Sequence, residues 1–129
     1  MKTQTVKFSK EELKKIDTAD DLKISPFRED GKTYGTPTWI WNVVVDGDLY
    51  VRAYNGIHSR WYQSAQKQKA GRIHAAGMVI DVAFEPVEGV VNDKIDAAYH
   101  KKYSSSPYLF PMISEKVKAA TVRIIPTTE

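Results

Sequence analysis

Alternation around a single Asp-Gly pair constrains this chain more than any other feature. Trp39, Trp41, Val43 and Val45 recur at every second position, Asp46-Gly47 offers the positive-φ chemistry of a tight turn, and Leu49, Val51 and Ala53 alternate on the way back. The pattern predicts a β-hairpin. At strand spacing, Trp39 and Trp41 read as core residues. The opposite face carries Thr38, Ile40 and Asn42 on one strand and Tyr50, Arg52 and Tyr54 on the other; being amphipathic, it is expected to stand partly open to a ligand.

Other elements fall on either side of this hairpin. Ser9 and Glu12 form a capping box, Phe8 can staple onto Leu13, and Leu13 with Ile16 gives a short helical stripe ending near Asp17. Residues 22–24 read as a strand stopped by Pro26, and residues 27–37 as a loop. After the hairpin, Asn55-Gly56 is a turn and Ser59 caps a second helix, with Lys67 and Lys69 in its last turn and Gly71 ending it. Strands follow at 72–75 and 78–85, the second burying Met78, Ile80, Val82 and Phe84. Val91, Ile95, Ala98 and Tyr99 have helical spacing that continues to about Lys102. Ser104-Ser105-Ser106-Pro107 breaks that pattern, residues 108–113 form a short proline-flanked apolar segment, and residues 120–125 are a last strand. Six short strands with few parallel crossovers predict a mainly β (α+β) fold, an antiparallel barrel with peripheral helices and not a doubly wound parallel sheet.

Composition narrows the function. With 129 residues the chain is expected to form one domain, residues 1–129, burying roughly two thirds of its unfolded surface. Cysteine is absent, which excludes thiol catalysis, disulfides and thiolate zinc sites. The first ten residues are polar and no apolar run approaches the roughly 18 residues of a membrane span, so a soluble cytoplasmic protein is expected. A net charge of +3 is too small for a dedicated nucleic-acid binder. His58, His74 and His100 lack metal-ligand spacing, and no metal is expected.

The charges are nevertheless distributed unevenly. Between Asp48 and Asp81 there is no acidic residue, yet Arg52, Arg60, Lys67, Lys69 and Arg72 lie there with His58 and His74. A local positive excess of this kind suits a small anion. Lys67 and Lys69 are explained by the helix end they occupy, and Arg72 belongs to the next strand, which leaves Arg52 and Ser59-Arg60. A cation in a helix's first turn opposes the dipole by about 0.3 to 1 kcal/mol. An anion resting on the free N–H groups near residues 59–61 would offset that cost for Arg60. Tyr54, beside this loop, is a candidate to contact a ring or a phosphate.

Five segments taken in order carry a family resemblance: Thr36-Pro37-Thr38-Trp39, Asp46-Gly47-Asp48-Leu49-Tyr50-Val51, Asn55-Gly56, Arg60-Trp61-Tyr62 and Thr121-Val122-Arg123-Ile124-Ile125-Pro126. They resemble the bacterial family DUF2255, and are similar to the deazaflavin-dependent nitroreductases of the split β-barrel flavin-binding superfamily. The resemblance implies a six-stranded antiparallel split β-barrel, often a homodimer, holding FMN or a deazaflavin coenzyme at the barrel edge. Carried over, the phosphate-contacting loop corresponds to Arg52, Tyr54, Asn55, Gly56, Ser59 and Arg60, followed by Trp61 and Tyr62. A glycine, arginine or lysine, serine and glycine run that precedes the hairpin in nitroreductase relatives is matched loosely by Gly31-Lys32-Thr33-Tyr34-Gly35. The segment from Gly56 to Arg60 lacks the relatives' second glycine.

Three classes of function follow. One is a flavin- or deazaflavin-dependent oxidoreductase, in which the cofactor carries the hydride chemistry. A second is a non-enzymatic binder or sensor of a small anionic metabolite. The third, a nucleic-acid module using Arg52, Tyr54, Arg60, Trp61 and Tyr62, fits the modest net charge poorly. No Ser-His-Asp set or carboxylate pair can be argued, so no catalytic residue is assigned.

Overall fold

The structure, a computed structural model, describes residues 7–127. The expected domain, residues 1–129, extends past the described residues at both ends. Helix α1 (Lys10–Ala19) starts at Ser9, which forms the full capping box with Glu12. It runs beyond Asp17 to a left-handed cap at Asp20, whose N–H bonds the Ile16 carbonyl. Strands β1 (Lys23–Pro26), β2 (Thr38–Trp39), β3 (Asn42–Val45) and β4 (Asp48–Arg52) come next. Helix α2 (Arg60–Gln68) precedes the long pair β5 (Ala70–Ala75) and β6 (Met78–Pro86), then α3 (Val91–Lys102). Two single turns, α4 (Leu109–Met112) and α5 (Glu115–Lys118), lead into β7 (Thr121–Pro126).

All strand pairs are antiparallel, in one seven-stranded sheet of order β2-β1-β5-β6-β7-β4-β3. The expected count of six is therefore corrected to seven. The strand read as continuous from Trp39 to Val45 breaks at Ile40-Trp41; its first part pairs with β1, where Lys23 faces Trp39, and its second with β4. These two parts are the opposite edges of the sheet. Two linking residues span at most about 10 Å from Trp39 to Asn42, so the sheet must curl until its edges nearly meet. The result is an open half-barrel whose split is crossed by Ile40 and Trp41.

The hairpin itself forms as expected, but its faces differ from the sequence reading. A two-residue Asp46-Gly47 loop sets Val45 opposite Asp48 and Val43 opposite Tyr50, so these cross-strand partners share a face. Tyr50 and Arg52 therefore lie with Val43 and Val45, and that face is covered by α3 through Ile95 and Tyr99 rather than left open. Leu49, Val51 and Ala53 point the other way into the barrel, against Val82, Phe84, Val122 and Ile124. Each such aliphatic side chain contributes about 1.5–3 kcal/mol on full burial.

Gly71 does not end α2, because Lys69 takes the left-handed cap with φ 60°. Gly71 lies within β5, where a Cβ would sit 2.4 Å from the Ser25 carbonyl oxygen; only glycine lets β1 and β5 approach this closely. Trp39, expected in the core, is 69% exposed because it lies on the short edge strand.

Candidate functional site

A cleft of about 700 Å³ opens beside the split. One wall is the linking segment Thr38, Trp39, Ile40 and Trp41; another is Tyr54, Asn55 and His58 with the start of α2 (Ser59, Arg60, Trp61); Tyr108 and Met112 of the α4 turn form the third, and Arg52 lies at the floor. Aromatic rings dominate these walls. No aspartate or glutamate lines the cleft.

The loop after β4 places most of the residues read from the sequence. A single 3₁₀ turn (Gly56–His58) carries the chain from the sheet to α2. Gly56 has φ 74° and presses on Lys116, whose carbonyl oxygen would lie 3.2 Å from a Cβ at this position. It therefore sets the path of the loop from behind, and does not line the cleft. Ser59 occupies the N-cap position of α2, yet its hydroxyl makes no capping bond. That hydroxyl is left for the cleft, together with the N–H groups of the helix's first turn, which have no carbonyl above them. Arg60 is exposed, and among the described residues it forms no ion pair.

Arg52 differs from Arg60 in burial and in pairing. It is 1% exposed and its guanidinium is consumed by protein groups: Thr121, Asp96, Asn92 and the Met112 carbonyl. An arginine held in this way belongs to the buried interior and is not a free surface cation. Of the face expected to stand partly open, Tyr50 and Arg52 lie buried beneath α3, whereas Thr38, Ile40 and Tyr54 line the cleft.

Two tyrosines, Tyr99 of α3 and Tyr103 just after it, back the linking segment. Trp41 stacks on Tyr103 with ring centres 3.9 Å apart, and the Tyr103 hydroxyl donates to Asp20 Oδ1 at 2.6 Å. Tyr99 lies 5.4 Å below the Arg52 guanidinium and donates to the Trp41 carbonyl at 3.5 Å. Burial pushes both phenols up in pKa, and for Tyr103 the bond to Asp20 adds to it.

Arg52, Tyr54, Asn55, Ser59, Arg60 and Trp61 all lie around one cleft. Sequence reasoning missed Trp39, Trp41, His58, Tyr108 and Met112 as lining residues. Trp39 and Trp41 are visible in the alternating pattern, but alternation alone reads equally as burial; Tyr108 carries no local signal, since α4 comes to the cleft only through tertiary packing. The Gly31–Gly35 loop lies elsewhere, with Arg72 stacked 3.7 Å from the Tyr34 ring centre and the Tyr34 hydroxyl bonded to Asp81. Among the described residues no group of three or more His, Asp or Glu is placed to hold a metal, and no helix is long and apolar enough to cross a membrane.

Among solved structures, the chain is similar in fold to the conserved hypothetical protein Rv2991 from Mycobacterium tuberculosis, with a TM-score of 0.62 and 12% identity over 99% of this chain and 84% of that one. It also aligns with an FAD-binding protein, mll6688, from Mesorhizobium loti at a TM-score of 0.46 and 17% identity, over 95% of this chain and 91% of that one. No curated protein matches it. Residues 12–124 match the family described as "Uncharacterized protein conserved in bacteria (DUF2255)", and the chain belongs to that family.

Proposed function

We propose that the cleft binds a planar aromatic cofactor bearing phosphate, of the FMN or deazaflavin type, and that the chain is a single-domain oxidoreductase. The carrying observation is the pairing of an acid-free aromatic lining with Arg60, a cation that no described carboxylate neutralises. Arg60, the Ser59 hydroxyl and the first N–H groups of α2 would hold the phosphate. Trp39, Trp41, Tyr54 and Tyr108 offer faces and edges for a ring system, and Asn55 an amide for its polar rim. When bound, such a cofactor supplies hydride transfer, while the protein contributes orientation and exclusion of water. A mass spectrum of the small molecules that copurify with the native protein tests this: FMN or a deazaflavin supports it, and a different ligand class overturns it. Dimerisation, implied by the resemblance, belongs to the same reading and is checked by sedimentation.

One observation favours a second reading. The lining holds no carboxylate pair and no acid beside His58, so it offers binding groups and little acid–base machinery. A non-enzymatic binder or sensor of a small anionic metabolite needs nothing more. Thermal stabilisation by anionic metabolites but not by flavins would select it.

A further inference from the structure

We propose that Arg52 is a positioning residue, whose guanidinium pins the α4 wall of the cleft to the barrel and makes no contact with the ligand. A guanidinium carries five N–H donors. All are engaged: Nε donates to Thr121 Oγ1 at 2.9 Å, Nη1 to Asp96 Oδ1 at 2.6 Å and the Met112 carbonyl at 3.0 Å, and Nη2 to Asn92 Oδ1 at 3.0 Å and its carbonyl at 3.4 Å. None is left for an anion in the cleft.

What the fork holds matters more than that it is full. Helix α4 is one turn of four residues, too short to persist by its own hydrogen bonds. Met112, whose carbonyl Arg52 grips, closes that turn, and Tyr108, at its other end, meets Tyr54 edge-on at 6.0 Å. Arg52 and Tyr54 stand two residues apart on the chain leaving β4. The fork therefore ties the third wall of the cleft to the strand that leads into the second. Asp96 balances the buried charge and is itself shared with Lys118 at 2.9 Å. A planar fork reaching four residues on three elements, α3, α4 and β7, cannot be copied by the single ammonium of lysine. The consequence for binding rests on the cofactor reading above; the mechanical claim does not.

Amide hydrogen exchange separates the two. In Arg52→Lys, the amides of Met112 and Ile113, which bond to Tyr108 and Phe110 within the turn, should exchange about tenfold faster, while Gln63 and Lys69 of α2 keep wild-type rates. Ile73→Val, a core change elsewhere, should leave α4 protected. Wild-type exchange at α4 in Arg52→Lys, or acceleration shared equally with α2, overturns the proposal. A second measurement needs no variant. In nitrogen-15 spectra of the wild type, the Arg52 Nη protons should show proximity to the Met112 and Ile113 backbone, and should not shift on FMN addition while Arg60 does. Absent proximity, or an Arg52 guanidinium that follows FMN, overturns it. Should neither FMN nor a deazaflavin bind the wild type, the cofactor reading fails, and the exchange and proximity results still decide the role of Arg52.

Discussion

The phenol of Tyr103 lies flat against the indole of Trp41, their planes 2° from parallel, while its hydroxyl bonds Asp20 at 2.6 Å. One side chain at the end of α3 thus joins the cap of α1 to the segment that crosses the barrel split. Tyr103→Phe keeps the stack and removes the donor. It should cost about 1–2 kcal/mol, read by urea denaturation, with near-UV circular dichroism of the tryptophans preserved.

Alkaline pH should act through the same group. Tyr99 and Tyr103 both have pKa values raised above the ordinary 10.0, chiefly by burial. A phenol that ionises later in the folded state contributes stability fully below the unfolded value and loses it as pH climbs beyond. Stability should therefore fall above about pH 10, more gently in Tyr103→Phe. A pH series of thermal melts checks this; equal slopes would remove Tyr103 from the effect.

Gly56→Ala should be costly for two independent reasons. Its φ of 74° suits glycine, and its Cβ would meet Lys116 Cγ at 3.0 Å. A loss of about 1–3 kcal/mol is expected, measured by chemical denaturation, together with weaker FMN binding because the same loop carries Ser59 and Arg60.

Arg52→Ala should destabilise strongly. It strips a buried cation from Asp96, which keeps Lys118 and some contact with water, so the cost should be about 3 kcal/mol, at the lower end for a broken buried pair. Arg60→Ala, by contrast, should change stability by less than about 0.5 kcal/mol. Denaturation of the two variants side by side checks the contrast.

Much of this architecture was legible because local chemistry and tertiary fold agree. Alternation in 78–85, the capping box at Ser9 and Glu12, and the Asp46-Gly47 turn each specify their element with no knowledge of the rest. The break at Ile40-Trp41 was not legible: periodicity continues through it, and only the curl of the sheet sends the two parts to opposite edges. Burial of Arg52 failed for a related reason. In a strand pattern an arginine marks the polar face, and its acceptors come from α3, α4 and β7, all more than thirty-five residues away in sequence. Arg60 carried its own signal, a cation in the first turn of a helix with no acid nearby. The lone Tyr108 wall belongs wholly to packing.

Fluorescence titration of FMN into the wild type and Arg60→Ala tests the central claim most directly, since the cleft's tryptophans and tyrosines should quench a bound flavin. The account predicts saturable quenching in the micromolar range, with affinity reduced about tenfold in Arg60→Ala, and both proteins equally stable. No quenching of either FMN or a deazaflavin by the wild type, or the same affinity in the variant, would contradict it.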